Sequence, residues 1–265
     1  MRKEQMLLLG LVFLIFKVQA QDTVYLAKSG SRPYLTVFKP NGQKTNTAVM
    51  ICSGGSYGRT ADEEEGIPAA KLLAQNGITA FLLDYRLPVG NDTIPLTDGK
   101  AGIQYIRAHS QQYGIDKDKV GAIGFSAGGH LISTLETHFD PANRPDFVVL
   151  VYPVISMKDE LTHQRSRANL LGNNITPEKI GKYSNELQVA PDTPPTFIVA
   201  AIDDNQVKVA NSLLFEAALQ QNKVPVAMFL YATGGHGFGI HNDQAQVQWT
   251  DTAIDWIKTE KWKEK

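Results

Sequence analysis

The chain has 265 residues, of which 43% are hydrophobic and 20% are charged, an ordinary composition for a globular protein. The formal net charge is −1 and the sequence pI is near 6.6, so the chain has no basic surplus that would attract nucleic acid. After removal of the leader described below, about 245 residues remain, which favours one large α/β domain over two compact ones.

The first twenty residues have the pattern of an export signal. Basic residues at positions 2 and 3 precede the apolar run Met6–Phe16, and small residues at 18 and 20 precede Gln21. An apolar run of about 11 residues is too short to span a bilayer, which takes roughly 20. We therefore predict a signal peptide over residues 1–20 and a mature domain over residues 21–265. The alternative is a buried first helix.

The single cysteine bears on the compartment and on anchoring. Cys52 has no partner for an intramolecular disulfide, and its place in an apolar run predicts a buried core residue. No cysteine directly follows the apolar run of the leader, so we expect no lipid anchor after cleavage. The predicted location is secreted or periplasmic. Nothing in the sequence indicates an oligomeric state.

The mature chain alternates apolar strand-like runs with helix-like segments. The predicted strands are Thr23–Ala27, Tyr34–Phe38, Ala48–Cys52, Ile78–Leu83, Val120–Phe125, Phe147–Tyr152, Thr196–Ala201 and Val226–Tyr231. The predicted helices are Glu63–Gln75, Thr97–Tyr113 (opened by Asp98), Ala127–Glu136, Asn211–Gln221 and Gln244–Lys258. Apolar strands separated by helices predict an α/β protein with a mostly parallel sheet and helices on both faces.

One segment departs from this alternation. Residues 156–191 contain no strong strand and only polar, weakly helical pieces. Long connections within a compact domain are often lids or pocket walls. We predict that this segment is a small cap-like insertion over the functional site.

The strand Val120–Phe125 leads directly into Gly124-Phe125-Ser126-Ala127-Gly128, which matches the Gly-x-Ser-x-Gly nucleophile elbow. The elbow needs a strand before the serine and a helix after it, and flanking glycines let neighbouring backbones approach closely. Both conditions hold here. We predict that Ser126 is a catalytic nucleophile. The alternative is a tight structural turn.

A serine hydroxyl needs a base, and in this strand–turn–helix setting the chain order is serine, acid, histidine. Of six histidines, His236 follows the last strand in a glycine-rich loop, which favours it as the base; His241 is the competing candidate. His130, close to the elbow, is predicted to be structural. The acid is expected after Thr196–Ala201, where Asp204 is preferred over Asp203.

Acyl transfer also needs donors for the oxyanion of the tetrahedral intermediate. The backbone N–H of Ala127 is one predicted donor, and Gly55 and Ser56, in the glycine-rich loop after Ala48–Cys52, are the others. Tyr57 and Phe125 flank these groups and are candidate substrate contacts, with core packing as the alternative. No Cys, His and Asp cluster has metal-ligand spacing, so no metal or other cofactor is expected.

Several motifs together resemble one family, the acetylxylan-esterase and feruloyl-esterase-like branch of the bacterial α/β-hydrolases, related to the hormone-sensitive-lipase group. The motifs are Ser53–Tyr57, Leu83–Leu87, Gly124–Gly129, Tyr152–Ile155, Pro194–Thr196, Asp203–Asp204 and Gly234–Gly239. The resemblance covers nearly all of the mature chain and implies the α/β-hydrolase fold. In that family the serine, the second aspartate and the histidine form the triad, which implies Ser126, Asp204 and His236. The chain departs from the family at Ser53, Ser56, Ala200 and Lys208, none of which removes a catalytic group.

Three functions follow as hypotheses. The first is an exported serine esterase that removes acetyl or other small acyl groups from an acylated plant polysaccharide such as xylan; a general short-chain carboxylesterase is its less specific form. The second is a serine peptidase of the prolyl-oligopeptidase type, which needs a gating domain for which the chain has no room. The third is a non-catalytic binding module, which the presence of all three triad residue types disfavours.

Overall fold

The computed structural model describes residues 22–139, 141–173 and 175–263. The predicted signal peptide lies outside these residues. Among the described residues, no helix combines the length and the apolar character needed to cross a bilayer.

The strands of the described chain form one sheet with eight members. They are β1 Asp22–Tyr25, β2 Tyr34–Phe38, β3 Ala48–Cys52, β4 Thr79–Asp84, β5 Val120–Phe125, β6 Val148–Val151, β7 Thr196–Ala201 and β8 Val226–Tyr231. The spatial order is β1-β2-β4-β3-β5-β6-β7-β8. β1 and β2 pair antiparallel, β2 is antiparallel to β4, and every other pairing is parallel.

The helices are α1 Ile67–Gln75, α2 Thr93–Ala108, α3 Ser110–Tyr113, α4 Ser126–His138, α5 Gln164–Leu171, α6 Pro177–Tyr183, α7 Ala210–Gln221 and α8 Trp249–Lys258. Side chains alternate across the sheet, so β3 sends Met50 to one apolar cluster and Ile51 to the other. The first cluster holds residues of α2, α4 and α7, and the second holds residues of α1 and α8. Helices thus cover both faces, and the predicted α/β-hydrolase fold is confirmed.

Three helices begin more than two residues from their predicted start. The predicted helix Glu63–Gln75 is divided into a π-helical turn, Asp62–Gly66, and α1, and the predicted helix Thr97–Tyr113 is divided into α2 and α3. The starts of α2 and α8 have side-chain causes. α2 begins at Thr93 because Asp98 does not cap it: the buried Asp98 carboxylate accepts hydrogen bonds from the backbone and side chain of Arg86. α8 begins only at Trp249, because the side-chain amide of Gln248 donates to the carbonyls of Asn242 and Ala245 and holds the preceding residues in turns. In both places a side chain makes hydrogen bonds to residues that the hydrophobic periodicity of the sequence does not identify.

Cys52 is buried and free, as predicted. The segment 156–191, described except for residue 174, contains α5, α6 and a short turn of 3₁₀ helix. It contacts the first turn of α7 and the loop after β3. The side-chain amide of Asn211 on α7 donates to the carbonyl of Leu161 at 3.0 Å, and that of Asn169 donates to the carbonyl of Ser56 at 2.8 Å. That it acts as a cap stays a prediction.

Candidate active site

Ser126 stands at the sharp turn between β5 and α4. Its φ is +49°, in the left-handed region that few non-glycine residues adopt. The flanking glycines make this turn possible. A Cβ on Gly124 would lie 2.5 Å from the carbonyl oxygen of Gly128, and one on Gly128 would lie 2.1 Å from that of Cys52. The Gly-x-Ser-x-Gly pattern therefore reflects backbones that approach more closely than any side chain allows.

Three side chains that lie far apart in the sequence form one hydrogen-bonded chain at this turn. Ser126 Oγ lies 2.9 Å from Nε2 of His236, and Nδ1 of His236 lies 2.7 Å from Oδ2 of Asp204. Because a carboxylate only accepts, Nδ1 carries the proton and Nε2 is free to accept the proton of the serine hydroxyl. The other carboxylate oxygen of Asp204 accepts the N–H groups of Gln206 and Val207, both at 2.9 Å, which orients the acid.

The competing candidates have other partners. Asp203 does not contact the imidazole; its Oδ1 accepts the N–H of Gly235 at 2.8 Å and so holds the loop that carries His236. The side chain of His241 is 62% exposed and pairs with Asp243 at 3.4 Å. Neither of these two residues joins the chain at Ser126.

The loop after β3 lies directly against Ser126. A Cβ on Gly54 would come within 2.9 Å of the Ser126 Cβ. The next three residues all have positive φ, +112° at Gly55, +59° at Ser56 and +57° at Tyr57. No described residue accepts a hydrogen bond from the N–H of Gly55 or Ser56. The N–H of Ala127 belongs to the first turn of α4, where helical partners are absent. All three predicted donors are therefore free to bind an anion.

Sequence reasoning missed a buried carboxylate that connects the two loops of the site. Glu65 Oε2 accepts the N–H of Gly54 at 2.6 Å, and Oε1 accepts the hydroxyl of Tyr152 at 3.0 Å. That hydroxyl in turn accepts the N–H of Gly239 at 3.1 Å, and the ring centroid of Tyr152 lies 4.7 Å from that of His236. Burial raises the pKa of Glu65, and its two hydrogen bonds oppose that rise. In the sequence Glu65 ends a run of three glutamates that resembles a solvated helix face.

A second missed contact explains one motif of the resemblance. The hydroxyl of Tyr85 donates to the carbonyl of Ser53 at 2.8 Å, and Ser53 Oγ donates to Asp62 at 2.7 Å. Tyr85 is buried and follows β4, the neighbour of β3. The Leu83–Leu87 motif therefore fixes the base of the loop after β3.

The two candidate substrate contacts have different surroundings. Tyr57 is buried, but it lines a cleft beside the loop, and its hydroxyl lies 3.0 Å from Nδ1 of His130. Phe125 has no exposed area and packs between Tyr152 and Trp249 in the second apolar cluster. A side chain with no exposed surface offers nothing for a substrate to contact. For Phe125 the prediction of substrate contact is corrected to core packing.

His130 is structural, and its tautomer follows from its partners. Nε2 lies 2.9 Å from the carbonyl of Tyr183, which can only accept, so Nε2 carries the proton and Nδ1 accepts from the hydroxyl of Tyr57. Complete burial lowers the pKa of His130 to about 4, so the ring is neutral near pH 7. Within the described ranges, no group of three or more His, Cys, Asp or Glu side chains is arranged to hold a metal ion.

Comparison with known proteins gives a consistent set of relatives. The sequence model of a protein family described as BD-FAE matches residues 35–219. An acetylxylan esterase of Xylanibacter ruminicola is 36% identical over 238 residues, which cover 87% of this chain and 49% of the relative. An endo-1,4-beta-xylanase B of Butyrivibrio fibrisolvens is 34% identical over 88% of this chain and 39% of the relative. The chain thus spans about half or less of the length of these two relatives.

A solved structure matches over nearly its whole length. It is that of an acetyl ester-xyloside bifunctional hydrolase from Caldicellulosiruptor lactoaceticus, with a TM-score of 0.84 and 34% identity over 91% of this chain and 97% of that chain. A carboxylesterase from Lactobacillus plantarum, at 21% identity and a TM-score of 0.77, shares the fold.

Proposed function

The chain belongs to the BD-FAE family, and we propose that it is an exported serine esterase that removes acetyl or other small acyl groups from a plant cell-wall polysaccharide such as xylan. The observation that carries the proposal is the hydrogen-bonded chain Asp204–His236–Ser126 at the nucleophile elbow. The names of the relatives support the choice of substrate, since they include an acetylxylan esterase and an acetyl ester-xyloside hydrolase.

The proposed reaction begins with acylation. As Ser126 Oγ attacks the ester carbonyl carbon, its proton passes to Nε2 of His236, and the carbonyl oxygen becomes an oxyanion bound by the N–H groups of Gly55, Ser56 and Ala127. Asp204 stabilises the imidazolium. Nε2 then gives the proton to the sugar oxygen as the bond between that oxygen and the acyl carbon breaks, which leaves an acyl ester on Ser126.

Deacylation repeats the same proton transfers with water. His236 takes a proton from a water molecule as the water oxygen attacks the acyl carbon, and then returns that proton to Ser126 Oγ as the acyl ester breaks. The products of the whole cycle are the free sugar hydroxyl and the carboxylic acid. The positive φ of Ser126 serves this cycle, because it holds Oγ clear of the strand and the helix.

The test compares purified wild type with Ser126→Ala on p-nitrophenyl acetate and on acetylated xylan. We expect Ser126→Ala to lower kcat by roughly 10⁴- to 10⁶-fold on both substrates, while Ser110→Ala, a matched serine on α3, retains the wild-type rate. Mass spectrometry of a quenched wild-type reaction is expected to find an acetyl group on the peptide that contains Ser126. Unchanged acetate release by Ser126→Ala would refute the proposal.

Export is part of the proposal and has its own test. Expression of the full chain in a bacterial host, followed by N-terminal sequencing of the exported protein, is expected to yield a chain that begins at Gln21. Retention of the intact leader on protein in the cytoplasm would count against export and would leave the esterase proposal standing.

A further inference from the structure

A cleft of about 720 Å³ opens beside the loop that follows β3. Its volume falls in the range of small-molecule sites and far exceeds what an acetyl group needs. Its walls come from three parts of the chain: Tyr57 and Gly58 of that loop, Leu87, Val89 and Gly90 after β4, and a third wall that includes α5 residues and Lys179. A cleft of this size beside a candidate esterase site is suited to the part of the substrate that does not react.

The Tyr57 wall of the cleft lies close to Ser126. The hydroxyl of Tyr57, which lines the cleft, is hydrogen-bonded to His130, one turn beyond Ser126 on α4. Four residues of α-helix rise about 6 Å. Gly54, three residues before Tyr57, lies against Ser126 itself. A sugar whose ester is held at Ser126 therefore has the cleft next to it.

The amide of Asn169 is held in place at the cleft wall. Its Nδ2 donates to the carbonyl of Ser56 at 2.8 Å, and its own backbone carbonyl accepts the N–H of Gly90 at 2.9 Å. Among the described residues, none donates a hydrogen bond to its Oδ1, so this oxygen can accept from a sugar hydroxyl. A fixed polar group loses little entropy when a ligand binds, which favours affinity.

Lys179, on the same cleft, is fixed by a buried chain of hydrogen bonds. Its Nζ lies 3.0 Å from Oδ1 of Asp92, whose other oxygen accepts the hydroxyl of Tyr183. The carbonyl of Tyr183 accepts Nε2–H of His130, which also holds Tyr57. The chain of contacts thus begins and ends on residues that line the cleft, so both walls are preorganised.

Charge in the cleft favours a neutral ligand. Lys179 is the one charged side chain among the lining residues of the described cleft, and Asp92 neutralises it. The apolar rim includes Val89, which is 91% exposed and has a φ of +47°. That conformation is unfavourable for a β-branched residue, and such strain persists mainly at functional sites. The acceptor oxygen of the Asn169 amide and the ammonium of Lys179, beside apolar side chains, suit the hydroxyls and the C–H faces of a sugar ring.

We infer that this cleft is a subsite for a neutral glycan and binds the unacylated pyranose residues next to the acylated one. The inference rests on the proposed function, because an acylated sugar at Ser126 places the neighbouring sugar residues of the polysaccharide toward Tyr57. It predicts affinity for a glycan that carries no ester at all.

The binding test uses the full mature chain with Ser126→Ala, and the probe is an unacetylated xylo-oligosaccharide titrated by calorimetry. In that background Ala168→Leu adds bulk at an exposed α5 position that lines the cleft, whereas Ala108→Leu adds the same bulk at an exposed position of α2. We expect Ala168→Leu to weaken binding about tenfold, which corresponds to about 1.4 kcal/mol of binding free energy. We expect Ala108→Leu to leave the affinity unchanged. Absence of binding by the Ser126→Ala chain, or equal binding by its Ala168→Leu and Ala108→Leu variants, would overturn the inference.

A second arm tests the charge of the ligand. An oligogalacturonide of the same length is expected to bind at least tenfold more weakly than the xylo-oligosaccharide; tighter binding would overturn the assignment to a neutral glycan. The proposed function fails in a different way, through the absence of Ser126-dependent hydrolysis of acetyl esters by the chain with Ser126 intact. Glycan binding by the Ser126→Ala chain does not depend on that outcome.

Discussion

Two neighbouring carboxylates, Asp203 and Asp204, support the histidine loop in different ways. Asp204 accepts Nδ1–H of His236, whereas Asp203 accepts the backbone N–H of Gly235. The first interaction sets the tautomer of the imidazole, and the second sets the position of the loop. The side chain of Asp204 is 2% exposed, so its charge acts on the imidazole with little screening by solvent.

These geometries predict unequal effects for the same substitution at two adjacent positions. Asp204→Asn is expected to lower kcat by roughly 10³- to 10⁴-fold, because an amide that donates to Nδ1 imposes the wrong tautomer. Asp203→Asn keeps an acceptor for Gly235 and is expected to lower kcat by less than about tenfold. Steady-state kinetics on p-nitrophenyl acetate measure both. Equal losses in the two variants would contradict this division of roles.

His130 predicts a pH dependence of stability. Its folded pKa, about 4, lies below the ordinary value of 6.5, so between these pH values the unfolded chain binds a proton that the native chain does not. Stability from this residue is therefore complete above pH 6.5 and is lost as pH falls toward 4, up to about 3 kcal/mol.

Urea unfolding of wild type and His130→Gln across this pH range measures the effect. Because the variant lacks the titrating group, the difference in free energy of unfolding, wild type minus variant, is expected to shrink by up to about 3 kcal/mol as pH falls from 6.5 to 4. A difference that stays constant would show that His130 does not titrate as its burial requires.

At the scale of elements, the site depends on how closely α4 approaches β3. Gly128 lies in the first turn of α4, and a Cβ there would overlap the carbonyl of Cys52 at the end of β3. The same approach brings the first turn of α4, which contains Ala127, against the start of the loop after β3. In the proposed mechanism, the packing of α4 on β3 and the binding of the oxyanion therefore depend on the same close approach.

Gly128→Ala is expected to destabilise the fold by about 1–3 kcal/mol and to lower kcat, because the first turn of α4 must move away from β3. Gly181→Ala on α6 is the matched control. A Cβ there meets nothing within 4 Å, so the change is expected to raise stability by about 0.5–1 kcal/mol. Urea unfolding and kcat of both variants test this. Wild-type stability and kcat in Gly128→Ala would contradict the packing argument.

At the scale of the whole molecule, the candidate active site lies at the carboxyl ends of the parallel strands, and a separate aromatic cluster packs at their amino ends. The carboxyl edge carries Ser126 and the loops with Asp204 and His236. The opposite edge carries Phe147, which is fully buried and stacks on Trp262 with ring centroids 4.9 Å apart. Strands of four to six residues separate these edges by roughly 15 Å, so packing at one edge has no direct contact with the chemistry at the other.

Phe147→Ala is expected to cost about 3–5 kcal/mol of folding free energy, because it leaves a cavity beside two tryptophans. The activity of each folded molecule is expected to stay at the wild-type level. Urea unfolding gives the first quantity, and kcat corrected by titration of Ser126 with a fluorophosphonate gives the second. A fall in corrected kcat would show that the two edges are coupled.

The sequence by itself determined the parts of the protein that rest on local patterns. Runs of apolar and β-branched residues predicted every strand of the described sheet to within two residues at either end. In β3, β5 and β6 the run is continuous, because a strand buried on both faces excludes polar side chains. Gly-x-Ser-x-Gly located the turn at Ser126, because its glycines are required by local backbone contacts. The order of strands then placed His236 and an aspartate in the right loops.

The tertiary structure decided what depends on contacts between distant residues. The choice of Asp204 over Asp203 follows from a hydrogen bond that spans 32 positions, and the role of Glu65 from one that spans 87. Phe125 is buried against Trp249 and so has no surface for a substrate to contact. No sequence pattern around Ser126 indicates this packing. Periodicity reports which face of an element is apolar, but which side chain meets which partner is settled only when loops from separate strands converge at one edge of the sheet.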